Sequence, residues 1–299
     1  MNSRQLDDLV ALLDSKSLTE AAAQRHVTQP AFSRRIRAIE ETLGFDIIDR
    51  SKKPAELKPV VTERQDDIRA LTLALSRLVN DIKSTAAPVS ERTLTISTIH
   101  SISVSVMPPA IEKLEQTIPS ATVRLRSGNL RESFAMLMTG QVSIMISYET
   151  DRQRAPIDTE LVERIVLKKE RLIPVISRDR AKEIRSSLKR GRDVPLVTYP
   201  QESFLGKVLA DLPATHDTRF SVRAISSLSP AILEMALCGL GVGWVTESQA
   251  AQFFESRQLI SLLSELPPAD MQMVMMRVQS SRSPFLEEGW QALRASIVG

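Results

Sequence analysis

The stretch Ser17-Leu18-Thr19-Glu20-Ala21-Ala22-Ala23-Gln24-Arg25-His26-Val27-Thr28-Gln29-Pro30-Ala31-Phe32-Ser33-Arg34-Arg35-Ile36-Arg37-Ala38-Ile39-Glu40-Glu41-Thr42-Leu43-Gly44 decides how the chain begins. Ser17 and Glu20 have the spacing of a capping box, in which the hydroxyl accepts from the Glu20 amide and the carboxylate accepts from the Ser17 amide, so a helix starts there. Ala21, Ala22 and Ala23 let another helix backbone approach closely. His26-Val27 interrupts this helix, and Thr28 is placed to cap a second one. Pro30 is tolerated in its first turn, where amides have no intrahelical acceptor. The second helix is expected to run to Leu43 and stop at Gly44. Phe32, Ile36, Ile39 and Leu43 step by four, three and four and are expected to face the core. Gln29, Pro30, Ser33, Arg34 and Arg37 lie opposite, a mixture of neutral hydrogen-bonding groups and guanidiniums suited to reading base edges while binding phosphate.

Charge supports this reading by its location. The whole chain carries 39 basic against 36 acidic side chains, a net +3, too small an excess to argue for a nucleic-acid partner. Between Arg25 and Arg37, however, stand four arginines (25, 34, 35 and 37) and no acid. Arg50, Lys52, Lys53 and Lys58 against Glu56 add +3 in a segment expected to form a hairpin wing along a phosphate backbone. Capping box, tight turn, polar face and basic wing together read as a DNA-binding helix-turn-helix with double-stranded DNA as partner.

Leu18-Thr19-Glu20-Ala21-Ala22-Ala23, Thr28-Gln29-Pro30-Ala31-Phe32-Ser33-Arg34-Arg35-Ile36 and Ile39-Glu40-Glu41-Thr42-Leu43-Gly44 resemble the winged helix-turn-helix of LysR-type transcriptional regulators. The domain order beyond fits the same family. Ile47-Ile48-Asp49-Arg50 stands where the family has Leu-Phe-x-Arg, and Lys58-Pro59-Val60-Val61 where it has Thr-Pro-x-Gly. Carried over residue by residue, the resemblance implies that Gln29, Pro30, Ser33 and Arg34 meet bases while Thr28, Arg35, Arg50 and Lys53 hold phosphates. It implies linker-helix dimers that pair into tetramers, and RNA polymerase as a candidate further partner.

The expected organisation is a winged helix-turn-helix domain at 1–59, a linker helix at 60–85, a hinge at 86–92 and an effector-binding domain at 93–299. In the linker helix Val61, Ile68, Leu75 and Ile82 recur every seven residues, and Leu71 and Leu78 fall three positions into two heptads, giving an a/d seam that Arg64 interrupts. A helix this long beside so small a head has little to pack on except a second copy, so Ile68, Leu71, Leu75, Leu78 and Ile82 are the predicted dimer residues.

The remainder reads as an α/β region: strands at Thr93–Thr98, Val123–Leu125, Val142–Ser147, Leu172–Ser177, Val194–Tyr199, Phe220–Ile225 and Val242–Thr246, with helices between them. Such spacing implies parallel pairing and two consecutive α/β subdomains, about 93–164 with 268–299 and about 165–267. Two units of this kind place a ligand in the crevice at the carboxyl ends of their strands. The strand-end residues His100, Ser101, Ser103, Ser147, Tyr148, Thr198, Tyr199, Ser203, Phe204 and Ser227 are therefore the predicted site for a small-molecule effector, beside Ser226 and Ser229. The pattern resembles the family's periplasmic-binding-protein-like effector domain, where a metabolite sits between two subdomains.

Within the family, His100-Ser101-Ile102-Ser103, Ser226-Ser227-Leu228-Ser229 and Gly241-Val242-Gly243-Trp244 resemble the hypochlorite-responsive regulator, which signals by methionine oxidation. Leu205 and Leu228 align with two of its reactive methionines, and leucine cannot become a sulfoxide. Met271, Met273 and Met275 alternate along a strand and are expected in the core. Cys238, the single cysteine, excludes an internal disulfide and is expected to be buried. Gly239-Leu240-Gly241-Val242-Gly243 follows a helix and precedes a strand, the reverse of a phosphate-binding loop. His26, His100 and His216 are far apart, with no metal-ligand spacing or nucleophile motif around them. No enzyme, metal or cofactor is expected. The first ten residues lack the apolar core of a signal peptide and no run of 18 apolar residues occurs, so the expectation is a soluble, cytoplasmic protein outside the membrane.

Overall fold

The computed structural model describes residues 1–15, 17–49, 51–52, 56–86, 93–119, 121–154, 161–212, 218–279 and 283–298. The chain divides into two compact units, Met1–Lys83 and Ser84–Gly299.

In the first unit α1 (Ser3–Asp14), α2 (Leu18–Gln24) and α3 (Gln29–Leu43) pack around Leu9, Leu12, Ala21, Ala22, Phe32, Ile36 and Ile39. The Ser17 hydroxyl accepts from the Glu20 amide at 3.2 Å and starts α2. Between α2 and α3 the chain turns through His26 at φ 53°, a left-handed conformation that a non-glycine residue adopts only at some cost. Thr28 occupies the N-cap position of α3 in extended conformation, but its side chain makes no capping bond; Pro30 in the first turn is what fixes the entry. Gly44 closes the helix at φ 78°. Phe32, Ile36 and Ile39 are fully buried, worth roughly 1.5–3 kcal/mol apiece. Leu43, expected beside them, is exposed, because the last turn of α3 runs past the edge of so small a core.

A hairpin follows, β1 (Ile48–Asp49) paired antiparallel with β2 (Glu56–Leu57). Its base is anchored by the buried Glu40 carboxylate, which accepts from the amides of Ile47 at 3.0 Å and Ile48 at 3.3 Å. The single polar helix expected from Val60 to Ser84 is two helices, α4 (Pro59–Thr62) and α5 (Gln65–Ala86), broken at Glu63 and Arg64. Arg64, which interrupts the apolar heptads, is where the turn falls. Val61 belongs to the head core and Ile68 packs on it, so Ile68 serves the head, and the free apolar stripe begins at Leu71.

The second unit is built on a seven-stranded sheet of order β10-β6-β11-β5-β3-β4, with β9 also on β6. The strands are β3 (Thr93–Thr98), β4 (Thr122–Ser127), β5 (Ile144–Glu149), β6 (Val162–Ser177), β9 (Gly243–Thr246), β10 (Leu259–Ser261) and β11 (Ala269–Val278), with a separate pair β7 (Val194–Thr198) and β8 (Phe220–Ile225). Its helices are α6 (His100–Ser105), α7 (Met107–Thr117), α8 (Leu130–Met138), α9 (Ala181–Lys189), α10 (Phe204–Ala210), α11 (Ser229–Leu237), α12 (Glu247–Glu255) and α13 (Pro284–Val298).

β3 pairs parallel with β4 and β5, and β7 parallel with β8, as helix-separated strands do. The parallel reading fails elsewhere. β6 and β11 run antiparallel over their shared length, from Val162 opposite Val278 to Leu172 opposite Ala269, and β5, β9 and β10 join them antiparallel. The strand expected at Leu172–Ser177 is the last third of β6. Its first part, Glu163 to Arg171, is charged enough to hide it from a hydrophobicity pattern. The subdomain boundary drawn at 164/165 therefore falls inside a strand.

Met271, Met273 and Met275 lie in the main core of this unit, and Met276 in a second cluster on the other sheet face with Leu137 and Met145. Cys238 is exposed, contrary to expectation: it is the C-cap residue of α11, beyond the buried Ala236. Gly239 follows at φ 74°, the left-handed position that ends a helix. No helix among the described residues is long and apolar enough to cross a membrane.

Candidate nucleic-acid interface and effector cleft

Because one side of α3 is fixed by Phe32, Ile36 and Ile39, its other side is held rigidly outward. Gln29, Pro30, Arg34 and Arg37 are exposed and Ser33 is half-buried. The Gln29 side-chain amide donates to the Ser33 hydroxyl at 3.1 Å, which orients both groups. Arg34 and Arg37 have no ion-pair partner among the described residues. Arg35 and Arg25 do. Arg25 pairs with Asp8 at 2.9 Å and Asp7 at 3.2 Å, and Arg35 stands 3.5 Å from the same buried Asp8 carboxylate. The phosphate role expected of Arg35 is thus shared with a structural one, since a carboxylate out of water needs its cations. In the wing, Lys52 pairs with Glu56 at 2.6 Å. Arg50 and Lys53 lie outside the described residues, as does the hinge segment 87–92.

On α5, Leu71, Leu78 and Ile82 are 54%, 57% and 59% exposed and Val79 is exposed beside them, while Leu75 is half-buried. Arg69 pairs with Asp14 at 2.6 Å and ties the start of α5 to α1. An apolar stripe this regular has no cover among the described residues of its unit.

In the second unit, a cleft of about 290 Å³ is lined by Ile99, His100, Ser101, Gly128, Asn129, Leu130, Glu132, Tyr199, Ser203, Phe204, Leu205, Ser227 and Ser229. Of the predicted residues it brings together His100, Ser101, Tyr199, Ser203, Phe204 and Ser227. Ser103, Ser147, Tyr148 and Thr198 do not line it. Ser103 hydrogen-bonds Thr98, Ser127 and the Ile99 carbonyl, closing the sheet end. Ser147 and Tyr148 are fully buried within β5, and Thr198 holds the Ser226 amide through its carbonyl. Ser147, Tyr148 and Thr198 belong to the strands themselves and Ser103 to the first turns of α6, and none of the four reaches the opening.

The wall made by Asn129 and Glu132 was missed by sequence reasoning. Asn129 caps α8 by accepting from the Glu132 amide at 2.9 Å, and the Glu132 carboxylate accepts from the Asn129 amide at 3.1 Å. The signal was available: Gly128-Asn129-Leu130-Arg131-Glu132 is an Asn-x-x-Glu box directly after a strand. The far wall is set by Gly206, whose Cβ, were there one, would lie 1.9 Å from the Pro200 carbonyl. Only glycine lets the turn of residues 200–203 fold onto α10. There the Ser203 hydroxyl accepts from the Gly206 amide at 3.1 Å.

Behind the opening the polar groups are unevenly satisfied. The Tyr199 hydroxyl stands 2.9 Å from the Trp244 carbonyl and 3.1 Å from the Ser229 hydroxyl, which donates to the Gln249 side-chain carbonyl at 2.7 Å. Burial pushes the Tyr199 phenol well above its ordinary pKa, so it remains a donor. Among the described residues, the buried hydroxyls of Ser101, Tyr148 and Thr246 have no hydrogen-bond partner of ordinary geometry. Tyr148 is likewise held protonated, first by burial and then by the Glu170 charge, with Thr246 and Ser101 nearest to offset them. Unsatisfied buried hydroxyls cost free energy, and Ser101 offers one to whatever enters the cleft. No cation lines it.

Residues 3–60 match the model of the bacterial regulatory helix-turn-helix protein, lysR family, and residues 89–297 match that of the LysR substrate binding domain. The chain belongs to the LysR family. It is a DNA-binding transcriptional regulator with an effector-binding domain. Among LysR-family relatives, the HTH-type transcriptional regulator YjiE of Escherichia coli is 27% identical over 98% of this chain and 94% of its own. The full-length structure of HypT from Salmonella typhimurium, a hypochlorite-specific LysR-type transcriptional regulator, is 27% identical, covers 99% of this chain and 98% of its own, and superposes with a TM-score of 0.58. DarR of Vibrio fischeri, solved in complex with DNA, shares the fold at 22% identity and a TM-score of 0.56, over 98% of each chain.

Proposed function

We propose that this LysR-family regulator acts in the cytoplasm as a homo-oligomer, a dimer through Leu71, Leu75, Leu78 and Ile82 that pairs into a tetramer. In this reading Gln29, Pro30, Ser33, Arg34 and Arg37 face base edges in the major groove. Thr28, Arg50 and Lys53 hold phosphates, and Arg35 adds to them from its pair with Asp8. The observation that carries the reading is the outward face of α3, with two guanidiniums that no acid among the described residues of the head neutralises. The DarR complex with DNA supports it by showing the shared fold on a duplex. A dimer presents two such faces to half-sites about one helical turn apart.

The effector enters the cleft between His100, Ser101, Asn129, Tyr199, Ser203, Phe204 and Ser227 and needs no metal or cofactor. No catalysis is assigned to the chain; the described residues of the cleft offer hydroxyls, the Asn129 carboxamide, the His100 imidazole and the Glu132 carboxylate. Binding regulates only if the effector prefers one arrangement of the molecule over another. HypT is described as hypochlorite-specific. Methionine oxidation is the weaker account here: Leu205 and Leu228 stand at the two aligned positions, and Met271, Met273, Met275 and Met276 are buried in β11.

Footprinting of the purified full-length protein across its genome at moderate salt tests the reading, together with a thermal-shift screen of small metabolites. Protected stretches containing two half-sites are expected. An effector at 100 times its dissociation constant is expected to add about 2.7 kcal/mol of stability. Absence of any protected stretch contradicts the DNA assignment, and absence of any stabilising metabolite contradicts the cleft assignment.

A further inference from the structure

A second basic surface lies outside the head. From Arg178 to Arg192 the chain carries seven cations (Arg178, Arg180, Lys182, Arg185, Lys189, Arg190, Arg192) and two acids (Asp179, Glu183), a net 7 − 2 = +5 in a protein whose total is +3. Everything else therefore sums to 3 − 5 = −2. The segment opens with a single 3-10 turn, Arg178–Arg180, and continues as α9, which turns Ala181 and Ile184 into the core. Arg178, Lys182, Arg185, Ser186, Lys189 and Arg190 line an open groove beside Ile260 of the edge strand β10. Steps of three and four keep them on one side of the helix.

The local acids do not neutralise this stripe. Arg185 is taken by Glu265 at 3.0 Å, and Arg180 by Glu183 at 2.9 Å. Arg178, Lys182, Lys189 and Arg190 are exposed and have no ion-pair partner among the described residues. Like charges three and four apart weaken a helix by a few tenths of a kcal/mol each, so the row is not a stabilising device.

Its shape selects the partner. A protein interface centres on apolar or aromatic anchors and is depleted in lysine, whereas this groove offers only Ile260 and the flank of Ala181. A small-molecule site is concave and mostly apolar, and this one is open and cationic. No aromatic ring among the described residues lines it on which an unpaired base would stack. From Arg178 to Lys189 the stripe is about 17 Å long, which matches about five phosphates of one strand at 3.4 Å of duplex axis each.

We infer that the stripe Arg178, Lys182, Lys189 and Arg190 lies against the sugar-phosphate backbone of duplex DNA, so that the effector domain adds a sequence-independent contact to that made by the head. The inference rests on the DNA-binding reading above. Phosphate contact without base contact strengthens all sequences alike and steepens the salt dependence.

The test is fluorescence anisotropy of the full-length protein on an operator with duplex flanks and on random duplex, between 50 and 200 mM salt. The triple variant Lys182→Ala, Lys189→Ala, Arg190→Ala is compared with wild type and with Arg124→Ala, Arg126→Ala, Arg131→Ala, which removes the same charge from exposed positions elsewhere on the domain. Expected is a loss of about 2.7 in the slope of log affinity against log salt per protomer in contact, at about 0.9 per phosphate, with an unchanged preference for operator over random DNA. An equal effect of both triple variants reduces the stripe to net charge and overturns the inference. An unchanged slope with normal operator binding also overturns it, and so does intact DNA binding with altered transcription in a purified reaction, which assigns the stripe to a protein. Failure of wild type to bind any duplex instead removes the underlying DNA reading. Unchanged thermal unfolding of the variants shows that their fold is kept.

Discussion

Arg34 and Arg35 are neighbours in sequence and differ in role. Arg34 is exposed and has no acidic partner among the described residues, while Arg35 shares the buried Asp8 with Arg25. Arg34→Ala is expected to leave the melting temperature unchanged. Arg35→Ala is expected to lower head stability by about 1 kcal/mol, the worth of a partly exposed ion pair, as seen in thermal unfolding. In the cleft, Ser101→Ala removes a buried hydroxyl that has no partner of ordinary geometry among the described residues, so the ligand-free protein is expected to be about as stable as wild type, while the effector-induced thermal shift is lost. Thr198→Ala, by contrast, is expected to keep the shift; if it abolishes the response and Ser101→Ala does not, the site lies elsewhere. Glu247 carries a pH dependence. Arg171 grips its carboxylate with two bonds, at 2.6 and 3.0 Å, and this bonding holds its pKa below the ordinary value. A carboxylate lowered on folding contributes stability that is present above its unfolded pKa and lost as pH falls through the folded one. Thermal unfolding from neutral pH to strongly acidic conditions is therefore expected to show a steeper acid decline for wild type than for Glu247→Gln.

At the scale of elements, the exposed stripe of α5 and the glycine of α10 on which the turn of residues 200–203 folds are the two most testable. Leu78→Glu with Ile82→Glu is expected to convert the dimer to monomer in sedimentation while leaving the head folded, since neither residue belongs to its core. A dimer that survives places the seam elsewhere. Gly206→Ala forces the Pro200 carbonyl away and is expected to lower the melting temperature of the effector domain and blunt the effector shift, with operator binding by the head retained. The elements also show why some of the fold was legible in sequence. α3 was legible because its apolar period, proline and terminal glycine all agree. β3, β7 and β8 were legible because they are short, carry apolar residues in alternation or in a brief run, and are bounded by turn residues. The long strand β6 was not, because Glu163, Arg164, Lys168, Lys169 and Arg171 lie on a half-exposed ribbon whose pairing with β11 is set by tertiary structure. The break at Glu63 and Arg64 was visible only as a fault in the heptads. Among the cleft residues, those at the entries of α6 and α10 were found, while the Asn129 and Glu132 box at the entry of α8 was passed over. Ser147, Tyr148 and Thr198 were misplaced because a strand end does not say which way its last side chains point.

For the molecule as a whole, a head that reads DNA, a seam that pairs two heads and a cleft that takes a ligand form one regulator only if they are coupled. The coupling is a free-energy difference: an effector that binds two arrangements equally shifts nothing. The effector is thus expected to change operator affinity in the dimer, and less so in the Leu78→Glu, Ile82→Glu monomer, as read by anisotropy titrations with and without ligand. All of this presupposes that the outward face of α3 discriminates sequence. The most direct test is the affinity of wild type and Arg34→Ala for an operator and for random duplex at the same salt. The expected result is a loss of about 1–3 kcal/mol on the operator and little on random DNA. Equal losses on both contradict base reading by this face.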